Sequence, residues 1–101
     1  MKLMHSLALT AFLTVPLLHA PAGAAAGEVV DMNHYLCKDI MRMSGEDRTI
    51  ALGVFHGYAL GKKGATSFKY DDSLQLSTDF IEYCLDNPSA KALESFEKLM
   101  K

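Results

Sequence analysis

The sequence has no tryptophan, only two cysteines, and no apolar stretch long enough to cross a bilayer. Its longest apolar run, Leu7 to Leu18, is interrupted by Pro16 and covers about 12 residues where a spanning helix needs about 20. Patterns that carry catalysis or bind metal are also missing. No Gly-x-Ser-x-Gly, Cys-x-x-Cys or His-x-x-x-His occurs, and beyond residue 26 the only histidines are His34 and His56. A nucleophile needs a base and an orienting group beside it, and zinc needs three or four suitably spaced ligands. The sequence therefore predicts a protein that is not an enzyme and holds no cofactor. Met32, His34, Met41 and Met43 include ligand types that suit copper(I). However, Met41 and Met43, two apart on a helix, point about 200° from one another, so they read as one core and one partly exposed side chain. Internal repeats, proline-rich linkers and low-complexity tracts are absent outside the N-terminal segment, so one domain suffices.

The first residues have the organisation of a secretory signal peptide: Lys2, the short apolar run, then alanine-rich small residues. Cleavage is expected after Ala24 or Ala26, the second fitting better because Gly27-Glu28 opens a polar stretch, and no cysteine follows closely enough for lipid attachment. This divides the chain into a leader, residues 1–26, and a domain, residues 27–101. No membrane anchor is expected. The domain carries nine Lys and Arg against 12 Asp and Glu, a net charge near −3 that points away from nucleic acid. So short a chain buries only somewhat more than about 60% of its unfolded surface and needs a staple or a partner. Cys37 and Cys84 are its only thiols, and export to an oxidising compartment predicts a bridge between them. Closing so long a loop contributes about 4 kcal/mol in the chain-entropy model.

Apolar residues recur at helical spacing, and turn formers cluster at Ser44-Gly45, Gly61–Ser67 and Asn87-Pro88. The expected fold is all-α, a small single-domain bundle of about four helices with one disulfide. The helices are expected over Asp31–Met43, over Gly45–Leu60 behind a Ser44 N-cap, over Asp72–Leu85, and from Pro88 behind an Asn87 N-cap. The third should turn Leu74, Leu76, Phe80, Ile81, Cys84 and Leu85 inward, and the fourth Leu93, Phe96, Leu99 and Met100. Gly61–Gly64 reads as a basic turn, without the spacing of a phosphate loop.

The second helix is apolar on nearly every side, with Ile50, Val54 and Tyr58 on one face and Leu52 and Ala59 opposite. Such a helix must be covered on more than one side. Ile50, Leu52, Val54, Phe55 and Tyr58 are therefore the expected client or dimer surface, in a homodimer at neutral pH. Gly53, Gly57 and Gly61 form a smooth strip on the same helix, each interior glycine costing about 1 kcal/mol relative to alanine. The third helix gathers carboxylates instead. Asp79, Glu82 and Asp86 stand at i, i+3 and i+7 behind Asp71 and Asp72, and these three are the expected pH-sensing carboxylates. At pH 2 to 3 most carboxylates are neutral and the domain reaches about +12, from its Lys and Arg, two His and the amino terminus. Self-repulsion then opposes the compact state.

Cys37-Lys38-Asp39, Gly57-Tyr58 and Tyr83-Cys84-Leu85-Asp86-Asn87-Pro88, in this order, resemble the HdeA/HdeB family of periplasmic acid-stress chaperones. The resemblance covers about Tyr35 to Met100. It implies a periplasmic all-helical domain with one disulfide, dimeric and idle near neutral pH. In strong acid such a domain partly unfolds and shields unfolded or acid-denatured proteins from aggregation. A second resemblance, carried by the Gly-Tyr and Asn-Pro pairs in a small exported helical chain, is to periplasmic immunity proteins that bind and inhibit type VI secretion amidase toxins. That function would require a preformed surface at neutral pH.

Overall fold

The structure is a computed structural model and describes residues 26–100; apart from Ala26, the expected leader lies outside the described residues. Four α-helices follow a 3-10 turn at Met32–His34: α1 (Cys37–Arg42), α2 (Gly45–Lys62), α3 (Tyr70–Asp86) and α4 (Ala92–Leu99). Among the described residues the only β feature is an isolated antiparallel bridge between Leu36 and Lys91. The all-α bundle with one disulfide is thus as expected.

Two helix starts differ from expectation, for one shared reason. The predicted first helix is split. Asp31 caps the 3-10 turn by accepting the Asn33 N–H at 2.9 Å, and Tyr35 and Leu36 are extended. The backbone is drawn out here because it pairs with the segment before α4: Cys37 N–H donates to Ala90 O at 2.8 Å and Ala92 N–H to Tyr35 O at 2.9 Å. That pairing also displaces the start of α4. Asn87 closes α3 rather than opening α4. Its backbone N–H and its side-chain amide both donate to Tyr83 O, each at 2.9 Å. Pro88 cannot continue a helix and disfavours helical geometry in the residue before it. Its carbonyl accepts Lys38 N–H at 2.9 Å, so the Asn-Pro turn serves α1, and α4 begins only at Ala92.

The remaining caps follow local chemistry. Ser44 caps α2, its Oγ accepting Asp47 N–H at 3.2 Å, as predicted. α2 runs one turn's fraction further than expected, through Gly61 and Lys62. Its end is a Schellman motif in which Ala65 N–H reaches Leu60 O at 2.9 Å, Gly64 N–H reaches Gly61 O at 3.0 Å, and Gly64 takes φ +67°. A side chain at residue 64 would be strained in that conformation.

The core is built on three phenylalanines, one from each long segment: Phe55 of α2, Phe80 of α3 and Phe96 of α4, all essentially inaccessible. Their rings meet edge to face with centroids 6.2, 5.9 and 5.4 Å apart, a preferred geometry for aromatic contacts. Beneath them the Cys37–Cys84 bridge joins α1 to α3 across a Cα–Cα distance of 4.9 Å, with both cysteines fully buried. Ile40, Met43, Leu52, Leu76 and Leu93 complete the cluster, with Met41 only half-buried. On α3 the buried seam is Leu76, Phe80 and Cys84 at i, i+4 and i+8. Leu74 and Leu85, expected inside, lie roughly 120–140° around the helix from Phe80 and are 52% and 67% exposed.

One structural residue had no motif to reveal it. Arg48 turns back from the first turns of α2 and donates to three carbonyls at the end of α1: Nε to Ile40 O at 3.2 Å, and one Nη to Met41 O at 2.7 Å and Met43 O at 3.3 Å. These include carbonyls that a helix leaves without an internal partner. Arg48→Met should lower stability by about 2 kcal/mol, the order expected when charged hydrogen bonds are lost, while Arg48→Lys, lacking the fork geometry, should recover only part of it. Urea midpoints of the two variants against the parent protein check this. Thiol titration of the denatured, unreduced protein should find no free thiol; two per chain would refute the bridge.

Candidate functional site

The bundle covers α2 on one side only. Leu52, Phe55 and Ala59 point into the core, whereas Ile50, Val54 and Tyr58 on the opposite side are 58%, 48% and 40% exposed. The five residues expected to form one surface are therefore divided. Leu52 and Phe55 are core residues of the folded chain, and Ile50, Val54 and Tyr58 form an open apolar stripe. Gly53, Gly57 and Gly61 continue the exposed face, and a Cβ added to any of them meets nothing within 4 Å. Their backbone is ordinary right-handed helix, positive φ among the described residues being confined to Gly27 and Gly64. Neither backbone geometry nor packing inside the chain requires glycine at these three positions.

α3 also has an apolar face turned outward. Tyr70, Leu74 and Leu85 are exposed and Ile81 half-buried, spaced so that they share one side of the helix. The carboxylates occupy the neighbouring side. Asp79 is half-buried and accepts Gln75 Nε2 at 2.8 Å, and Asp71, Asp72, Glu82 and Asp86 are exposed. The structure thus brings Asp79, Glu82 and Asp86 together on one face but gives them no basic partner. Among the described residues the ion pairs are His34–Asp31 at 3.6 Å, Lys62–Glu97 at 2.9 Å and Lys98–Glu94 at 3.1 Å. α3 has no Lys, Arg or His between Tyr70 and Asp86, and none in its last turn. Asp86 therefore faces the negative end of the helix dipole, an arrangement that costs about 0.3–1 kcal/mol.

Other carboxylates that hold partners sit elsewhere. The half-buried Asp39 accepts Leu36 N–H at 2.9 Å, closing the start of α1. Glu97 holds Lys62, tying the last turn of α2 to α4, and Lys62 lies 5.5 Å from the Tyr58 ring centroid. The hydrogen bond that Lys62 donates to Glu97, then the charges of Glu97 and Tyr58, hold the Lys62 ammonium above its ordinary range. A raised lysine favours the fold at all pH values below its ordinary range and loses that contribution as pH climbs through the raised value. Sequence reasoning missed both carboxylates because Lys62 is distant in sequence from Glu97 and the partner of Asp39 is a backbone N–H rather than a charged side chain.

A cleft of about 430 Å³ between α2, the 63–69 connection and α3 is lined in part by His56, Phe68 and Lys69. In it His56 Nδ1 meets Ser73 Oγ at 3.0 Å, and the imidazole packs on Phe68 and Phe96 at centroid distances of 5.0 and 6.1 Å. The pair has the elements of a nucleophile and base, but no carboxylate among the described residues orients the ring. It serves as a tie between α2 and α3.

Because the glycine face is open, Gly53→Ala and Gly57→Ala should each stabilise the dilute single chain by about 0.5–1 kcal/mol through helix propensity. Denaturant titration at submicromolar protein measures this, and a loss of stability would show that the face is packed in solution. No curated protein and no solved structure matches the chain significantly. The model of the HdeA/HdeB family matches residues 6–94, nearly the whole chain, and the protein belongs to that family, which is known for periplasmic acid-stress chaperones.

Proposed function

We propose that the protein is exported to the periplasm with removal of residues 1–26, forms a homodimer near neutral pH, and opens in strong acid to bind unfolded proteins. Family membership across residues 6–94 is the observation that carries this reading. The geometry supplies a mechanism. Strong acid neutralises carboxylates as a class, and both the α1 cap at Asp39 and the α2–α4 tie at Glu97 rest on a carboxylate. With no acidic charge left to balance its Lys and Arg, the domain reaches about +12, and its like charges repel. The compact state loses stability as this positive charge accumulates.

Opening adds Leu52 and Phe55 to the apolar surface already present at Ile50, Val54 and Tyr58. The Cys37–Cys84 bridge limits extension, and the positive charge keeps a loaded complex soluble. In the neutral dimer the Ile50, Val54 and Tyr58 stripe is the contact. Leu52→Asp is no test of that contact, since Leu52 belongs to the core of each chain and the variant would unfold it. Val54→Glu is the proper one, and it should give a folded monomer at micromolar concentration by sedimentation. A wild type that is itself monomeric there rejects the dimer.

For the chaperone activity, light scattering of a denatured client at pH 2.5 and pH 7 decides. Protection is expected at pH 2.5 only, and Asp79→Asn, Glu82→Gln and Asp86→Asn together should shift the pH of opening. A protein that stays folded at pH 2, binds no hydrophobic dye and protects no client overturns the reading, and the immunity-protein function takes its place.

A further inference from the structure

We infer that the outward face of α3 is a second docking surface, distinct from the α2 stripe, and that its occupant is a cationic amphipathic helix bound at neutral pH, before any acid opening. The apolar part of the surface is Tyr70, Leu74, Ile81 and Leu85. It runs the length of α3, about 22 Å at 1.5 Å per residue, which matches roughly four turns of a partner helix. Leu74 and Leu85 contribute to it because the core seam of α3 is already filled by other residues. A solvated helix would carry polar residues there.

The flanking charge selects the partner. Asp71 and Glu82 adjoin the stripe, and Asp86 follows at its C-terminal end. All three are exposed, and none forms an ion pair among the described residues. α3 contains no basic residue with which to balance them. Asp86 opposes the helix dipole, so its placement does not serve the stability of the isolated chain. A partner with leucine-like residues on one side and Lys or Arg beside them would satisfy both features at once, burying the stripe and pairing the carboxylates. A second copy meeting it α3 to α3 would not, because that contact sets acid against acid.

The test uses protein purified after export, at pH 7, and a fluorescein-labelled amphipathic peptide of about 18 leucine and lysine residues, with a leucine–glutamate peptide of the same pattern as control. Anisotropy should show saturable binding of the lysine peptide, no binding of the glutamate peptide at up to about 100 µM, and affinity that falls about tenfold between low and high salt. Asp71→Asn with Glu82→Gln and Asp86→Asn should weaken binding at least about tenfold, as should Leu74→Gln with Leu85→Gln. Both sets lie at exposed positions, and circular dichroism checks that they fold. Val54→Gln, on the α2 stripe, should leave affinity unchanged. Equal binding of the two peptides, no binding of either, or binding insensitive to the α3 variants overturns the inference. So does a wild-type dimer that Leu74→Gln with Leu85→Gln dissociates, since the occupant is then a second copy. Client protection at pH 2.5, measured separately, is unaffected by any of these outcomes.

Discussion

The fold depends on the fastening of α1, a helix of six residues. A segment that short cannot sustain itself in water, because nucleation fixes several residues before hydrogen bonds compensate. It is held at three points. Cys37, its first residue, is bridged to α3 within the core; its preceding backbone pairs with the strand-like residues ahead of α4; and its final carbonyls receive Arg48 from α2. Through α1, each of the other helices is connected to the same small piece of chain. The phenylalanine triangle then fills the space that these connections define, and the order in the sequence becomes a closed arrangement in space.

With the core filled in this way, α2 and α3 each bury one seam and have a further apolar face to spare. On α2 the extra face is paired with glycines that weaken the helix, and on α3 it is paired with uncompensated acid. In both helices residues that stability would disfavour stand next to exposed apolar side chains. Such coincidences point to association rather than to folding of the single chain.

Much of the architecture was legible in the sequence because it rests on local rules. Ser44 announces the start of α2, the two cysteines have only one another, and helical spacing of apolar residues gives the number of helices. What could not be read depends on contacts made at a distance. Asn87-Pro88 has the local chemistry of a helix start, and only the pairing of its segment with the approach to α1 makes it a helix end. Leu74 and Leu85 resemble core residues until the Leu76–Phe80–Cys84 seam is seen to fill the available space. Leu52 and Phe55 could be separated from Ile50, Val54 and Tyr58 only by knowing which side of α2 meets the bundle. Arg48, with no motif around it, looks like any surface cation. The family resemblance carried by Cys-x-Asp, Gly-Tyr and Asn-Pro proved sound, yet the last of these motifs acts in a different structural role from the one its residues suggest.

Arg48 has one more consequence. A guanidinium keeps its charge at any pH a cell encounters, and the carbonyls it binds have no proton to gain or lose. The fastening of α1 to α2 is thus blind to acid, as is the covalent link from α1 to α3, whereas α4 is joined to α2 through Glu97. The Lys62–Glu97 pair thus differs in kind from the two links that hold α1, because it rests on a carboxylate. If acid opens the chain as proposed, α1 with its two acid-independent links is the fixed point about which the rest would move.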